Sequence, residues 1–78
     1  MRQLIDQSGS VWDVCVGRES YGMQVVLFFP RSGGAICKSA LLAETRLEAE
    51  IELDGYDDEE LLSLLERAVP WESSLFPG

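Results

Sequence analysis

Apolar residues recur along this chain at two different spacings, and the change from one to the other divides it. From Val11 to Val16, Trp12, Val14 and Val16 share one parity while Asp13 and Cys15 share the other. This is the period-two pattern of a strand rich in β-branched and aromatic residues. Met23 to Phe29 is apolar on both parities except at Gln24, which predicts a central strand covered on two sides. Short strands are expected at 2–5 and at 35–40. The breaks between them carry turn chemistry: Asp6-Gln7-Ser8-Gly9-Ser10, Gly17 to Gly22, and Pro30 followed by Arg31-Ser32-Gly33-Gly34. The expected strands are therefore 2–5, 11–16, 23–29 and 35–40, in an antiparallel meander.

Residues 41–53 match two templates. Leu47, Ala49, Ile51 and Leu53 alternate with Glu48, Glu50 and Glu52 as a strand would, but Glu and Ala are poor strand residues and good helix formers. Thr45 and Glu48 have capping-box spacing. The reading is a helix over about 43–53, with Ala43, Leu47 and Ile51 in one stripe and Glu44, Glu48 and Glu52 in another beside it. Arg46 lies within i, i+4 reach of Glu50. The last element is plainer. Asp57 reads as an N-cap with Glu60 completing the box, Tyr56 as a staple onto Leu61, and Leu61, Leu62, Leu65, Ala68 and Val69 as an apolar face ended by Pro70. That predicts a helix over 58–69 and an apolar tail from Trp71 onward. The expected fold class is α+β: an antiparallel sheet of three or four strands followed by two C-terminal helices packed on one face, in a single domain over 1–70 with a tail at 71–78.

With 78 residues the chain suffices for one small domain, and 46% hydrophobic with 26% charged residues indicates a folded one. A domain of this size buries only about 60% of its unfolded surface, so its core is thin and partner contacts matter to it. The longest apolar stretch, Val25 to Phe29, is too short to span a bilayer, and no secretory leader pattern opens the chain, so a cytoplasmic protein is expected. Trp12 reads as a core anchor of the sheet. Cys15 and Cys37 fall on strands separated by a third, about 10 Å apart, beyond the roughly 7 Å reach of an unstrained disulfide, so both thiols should be free.

Charge is unevenly distributed. Residues 1–40 carry four basic and three acidic side chains, whereas residues 41–78 carry two basic and eleven acidic, for a net charge of -8 overall. An acidic half repels phosphate, which disfavours direct nucleic-acid binding and favours a basic protein partner. There is no histidine. Ser-His-Asp and Cys-His catalysis and His-ligated zinc are thereby excluded. Gly17-Arg18-Glu19-Ser20-Tyr21-Gly22 lacks nucleophile-elbow spacing and any base for Ser20. Asp54, Asp57, Asp58, Glu59 and Glu60 lack EF-hand spacing and are accounted for by helix capping. No phosphate-cradling or dinucleotide motif is present. No catalytic residue, metal site or cofactor is expected.

The expectation is a non-enzymatic protein-interaction module. The contact candidates are Glu44, Glu48 and Glu52 on the acidic helix, with Trp71, Leu75 and Phe76 after the last helix; pairing of two copies through a sheet edge is a further route. Two other classes stay open: an acidic nucleic-acid mimic that occupies a basic site on another protein, and a small-ligand or metal sensor.

The opening Met1-Arg2 with Asp6, Gly9, Trp12 and Val14 resembles the start of short stand-alone bacterial proteins of unknown function. Asp58-Glu59-Glu60-Leu61-Leu62 and Leu64-Leu65-Glu66-Arg67-Ala68 are similar to their ends. The resemblance covers only the two ends of the chain. It implies a bacterial, cytoplasmic protein, and it carries over no activity and no site residues.

Overall fold

The first hairpin is set by a single carboxylate. Asp6 accepts from the backbone amides of Ser8 and Ser10, both at 2.9 Å, and Gly9 takes the left-handed conformation (φ 88°) that closes the turn. On either side of it run β1 (Arg2–Ile5) and β2 (Val11–Arg18). The computed structural model, which describes residues 2–19 and 22–71, continues with β3 (Gln24–Pro30), β4 (Cys37–Ala40), α1 (Arg46–Gly55), α2 (Asp58–Arg67) and β5 (Val69–Pro70). The five strands form one antiparallel sheet in the order β1-β2-β3-β4-β5, with both helices inserted before the last. The α+β class and the two C-terminal helices are as the pattern predicted, with a short fifth strand added.

β3 is shifted by one residue to 24–30, β4 starts at Cys37 rather than 35 and α1 runs to Gly55 rather than 53; three other boundaries differ from expectation for a clear local reason. Gly17 and Arg18 continue β2, paired with Val25 and Gln24, instead of opening the turn. Helix α1 starts at Arg46 because Thr45 is the effective cap: its side chain accepts from the Glu48 amide at 3.1 Å, and residues 43–45 stay outside the helix. Val69 leaves the apolar face of α2 and pairs with Lys38 in β5. It precedes Pro70, and the proline ring drives the residue before it toward extended backbone; Ala68, the C-cap, is already extended at ψ 152°. The cap of α2 is as predicted, with Asp57 accepting from Glu60 N at 2.8 Å and Glu60 accepting from Asp57 N at 2.9 Å.

Register fixes the two faces of the sheet. Val14 opposite Phe28, Val16 opposite Val26 and Leu4 opposite Trp12 place these residues on one side, and all except half-buried Trp12 are buried. Ala49 and Leu53 of α1, Leu61 of α2 and Leu41 close over them as one core. Gln24 lies on the same side and is the buried polar residue there; its side-chain oxygen has no hydrogen-bond partner among the described residues. The opposite side carries Ile5, Cys15, Val25, Leu27, Phe29, Lys38 and Val69 by the same alternation. No described helix or strand packs over it, although Val25 at its middle is buried, at 2% exposure. The two-sided apolar pattern of β3 therefore corresponds to one side under helices and one side on which no second layer of helix or strand stands among the described residues.

Cys15 pairs with Leu27 and Cys37 with Phe28, so the thiols point to opposite faces with β3 between them, and both are free. No described helix is long and apolar enough to cross a membrane.

Candidate interaction surfaces

Helix α1 buries an unexpected side. Ala49 and Leu53, one turn apart, face the sheet, and the smallness of Ala49 lets the helix lie close to β2 and β3. Leu47 and Ile51 then point about half a turn away from the core. They are 70% and 63% exposed, and Leu42, just before the helix, is 92% exposed. The stripe of Ala43, Leu47 and Ile51 is thus split: Ala43 packs against the core, and the other two form an apolar ridge in water. Exposed Glu44, Glu48, Glu50 and Asp54 flank that ridge, and the cation of Arg46 is held by Glu50 at 3.0 Å.

The predicted acidic contact stripe is partly consumed by the fold. Glu52 is half-buried and accepts from Tyr56 Oη at 2.6 Å, from Ala43 N at 3.1 Å and from Leu42 N at 3.4 Å. Glu48 accepts from Glu44 N at 3.2 Å rather than from the Thr45 amide of an ideal capping box. Both carboxylates hang the 42–44 backbone on the flank of α1. Of the three predicted residues, Glu44 and Glu48 remain exposed at the surface and Glu52 serves as an internal brace. The Glu52 carboxylate, a hydrogen-bond acceptor that a phenolate would repel, pushes the Tyr56 hydroxyl up to about 12.

A second feature is a cleft of about 370 Å³ between the first hairpin and α2, lined by Asp6, Gln7, Ser8, Trp12, Cys37, Leu62, Leu65 and Glu66. Trp12 forms one wall and donates its indole N–H to Asp6 Oδ2 at 3.0 Å. That bond, followed by the Ser8 hydroxyl and the two turn amides, lowers the Asp6 carboxyl to about 2. Asp6 is therefore a fixed anion engaged by its own loop, unsuited to general acid work at neutral pH. Trp12 packs against the core as expected of an anchor, with its polar edge at the surface.

On the uncovered side of the sheet the charges occur in pairs: Arg31 with Asp13 at 2.9 Å, and Lys38 with Glu19. The Asp13 carboxylate pushes the Arg31 guanidinium still higher. Burial raises the Cys15 thiol above its ordinary value, which leaves it less nucleophilic at neutral pH. Trp71, one of the predicted contact residues, is half-buried. Its amide donates to Ile36 O at 2.7 Å, extending the β5 pairing, and its ring lies 5.5 Å from the Lys38 ammonium. Leu75 and Phe76, and the Ser20 of the second loop, lie outside the described residues. Among the described residues no group of three or more Cys, Asp or Glu side chains is gathered closely enough to hold a metal ion.

No protein-family model, no curated protein and no solved structure matches this chain. Sequence reasoning missed the outward ridge of α1. The signal available was the choice between two helical stripes, 43/47/51 and 49/53, which periodicity alone leaves equal.

Proposed function

We propose that this protein is a non-enzymatic interaction module, an accessory subunit or regulator of a bacterial assembly, that seats a basic amphipathic helix of another protein on α1. The observation that carries this is the ridge of Leu47 and Ile51, turned from the core and framed by exposed Glu44, Glu48 and Asp54. An i, i+4 pair of branched side chains is the ridge that a second helix packs into its own groove. The surrounding carboxylates select lysine or arginine at the margins of that helix and repel an acidic one. The ridge itself argues for protein over a nucleic-acid mimic's role, because mimicry needs charge alone and has no use for exposed Leu and Ile. Anionic membrane surfaces are disfavoured by the same carboxylates.

Fluorescence anisotropy with designed peptides of about 18 residues tests the reading, since that length gives five turns of helix. The peptide with a leucine stripe flanked by lysines is expected to bind, while a scrambled peptide of equal composition and one with glutamate flanks do not. Replacing Leu47 and Ile51 together with serine should weaken binding at least about tenfold. Equal affinity for the scrambled basic peptide, or binding indifferent to the serine pair, overturns it.

A further inference from the structure

We infer that the uncovered side of the sheet is the contact surface for a second copy of this chain, in a two-fold dimer with the sheets face to face and the helices outward. The proposal is independent of the role given to α1, which lies on the far side.

Three observations carry it. The first is composition. By strand alternation this side presents Ile5, Met23, Leu27, Phe29 and Val69, with Ile5 61% and Val69 52% exposed. Antiparallel sheets that face water on one side normally alternate with polar residues there, and β3 does not. The second is charge. The chain carries -8, and two copies repel through most of their surface. On this side the described charged groups Asp13, Glu19, Arg31 and Lys38 are joined in two ion pairs, and Arg67 stands at its margin beside Val69, so it approaches its own copy with little Coulomb penalty. A face with so little net charge offers a strongly basic or acidic partner little electrostatic advantage, whereas a two-fold contact asks only that the surface match itself. The third is shape. Gly17 has no side chain, and Leu27 lies in the space a Cβ would take, 2.6 Å from that position. Leu27 therefore lies across β2 instead of standing up from the sheet. This lowers the surface over Gly17, next to the Lys38–Glu19 pair that bridges β4 to the end of β2 across β3.

Area sets the expected strength. The 4, 8, 7, 4 and 2 residues of the five strands, at about 3.4 Å rise and 4.8 Å spacing, give about 400 Å² of projected surface per copy. With side-chain relief the two copies bury on the order of 1,000 Å², the lower limit for a specific contact, so a weak, concentration-dependent dimer is expected. The sheet edges offer less: β5 has two residues, one of them Pro70 without an amide N–H, and β1 has four.

Sedimentation equilibrium of the full chain between about 1 and 100 μM reads that concentration dependence. A rise from monomer to dimer mass is expected, lost in Ile5→Lys/Val69→Lys and retained in Leu47→Ser/Ile51→Ser. Both lysine sites are exposed strand positions, so circular dichroism should match wild type; if the pair perturbs it, Met23→Lys on the same side provides the same test. A monomer at every concentration overturns the proposal, as does a dimer that survives the lysine variants or is lost in the serine pair. Binding of the unchanged monomer to zwitterionic phosphatidylcholine vesicles, abolished by the lysine variants, would assign the surface to lipid instead and likewise overturn it.

Discussion

The Arg2 guanidinium donates to the carbonyl oxygen of Tyr56 at 2.6 Å, joining residues 54 positions apart in the chain. The same group reaches Leu53 O at 3.4 Å and Asp58 Oδ1 at 3.0 Å. One side chain of the first strand thus satisfies the Tyr56 carbonyl just after α1, adds to the bond that the Tyr56 amide makes to Leu53 O, and pairs with the first residue of α2. The two helices are held at their junction by the strand that begins the sheet.

Arg2→Ala should destabilise the fold by about 1–3 kcal/mol, the range for a charged hydrogen-bonding group whose acceptors lose their partner. Arg2→Lys should recover only part of this, because an ammonium cannot span acceptors on both helices as the planar guanidinium does. Urea denaturation followed by circular dichroism measures both. Equal stability of all three proteins would remove the junction role.

Alkaline unfolding should track Tyr56. Its hydroxyl is raised from an ordinary 10 to about 12 by the Glu52 hydrogen bond. The folded state therefore holds the proton more tightly than the unfolded chain does, and the resulting stabilisation is full below pH 10 and lost as pH rises toward 12. Tyr56→Phe should lower stability at neutral pH and flatten the profile between pH 10 and 12. Thermal melts across that interval would read it, and an unchanged slope contradicts it.

Acid should act through Asp6 with the opposite sign. Its carboxyl is lowered from 3.8 to about 2, so its contribution is present above pH 3.8 and disappears as pH falls through 2. Asp6→Ala should reduce the melting temperature at pH 7 and leave the variant and wild type closer together at pH 2. Because Asp6 fixes the Trp12 indole, near-ultraviolet circular dichroism should change in the variant at neutral pH as well.

Gln24 invites a stabilising change. Its side-chain oxygen is buried without a partner among the described residues, and such an acceptor costs about 1–3 kcal/mol. Gln24→Met, close in volume, should raise stability by about 1 kcal/mol, with urea midpoints as the readout. A loss of stability would mean that the amide is bonded in solution.

Surface and core residues of like chemistry should separate cleanly. Phe28→Ala removes a fully buried ring and should cost about 3–5 kcal/mol, enough to unfold a domain of this size. Leu47→Ser and Ile51→Ser should change stability by no more than about 0.5 kcal/mol each, because these side chains already face water. Thermal melts distinguish the two outcomes.

Much of the fold is legible because its signals are local. The Asp57/Glu60 box lies within four residues, and the Asp6 and Gly9 turn within one hairpin loop, so short-range hydrogen bonding decides both. The assignment of 46–53 to helix followed from the same kind of evidence, a Thr45 cap and Glu-rich composition outweighing strict alternation. The acidic contact stripe was legible only as a pattern. Its separation into exposed Glu44 and Glu48 and inward-turned Glu52 depended on which backbone amides came within reach of each carboxylate.

What the amino-acid order determined by itself was the strand parity, the turns, the helix caps and the lopsided charge, since each depends on neighbours a few bonds apart. The tertiary structure alone decided the rotation of α1 and the covering of the sheet. Small Ala49 could approach β2 and β3 most closely, which turned Leu47 and Ile51 to solvent, and both helices lie over the same side of the sheet. Those outcomes come from competition among long-range packings that a linear pattern describes equally well, and they created both surfaces assigned here to partners.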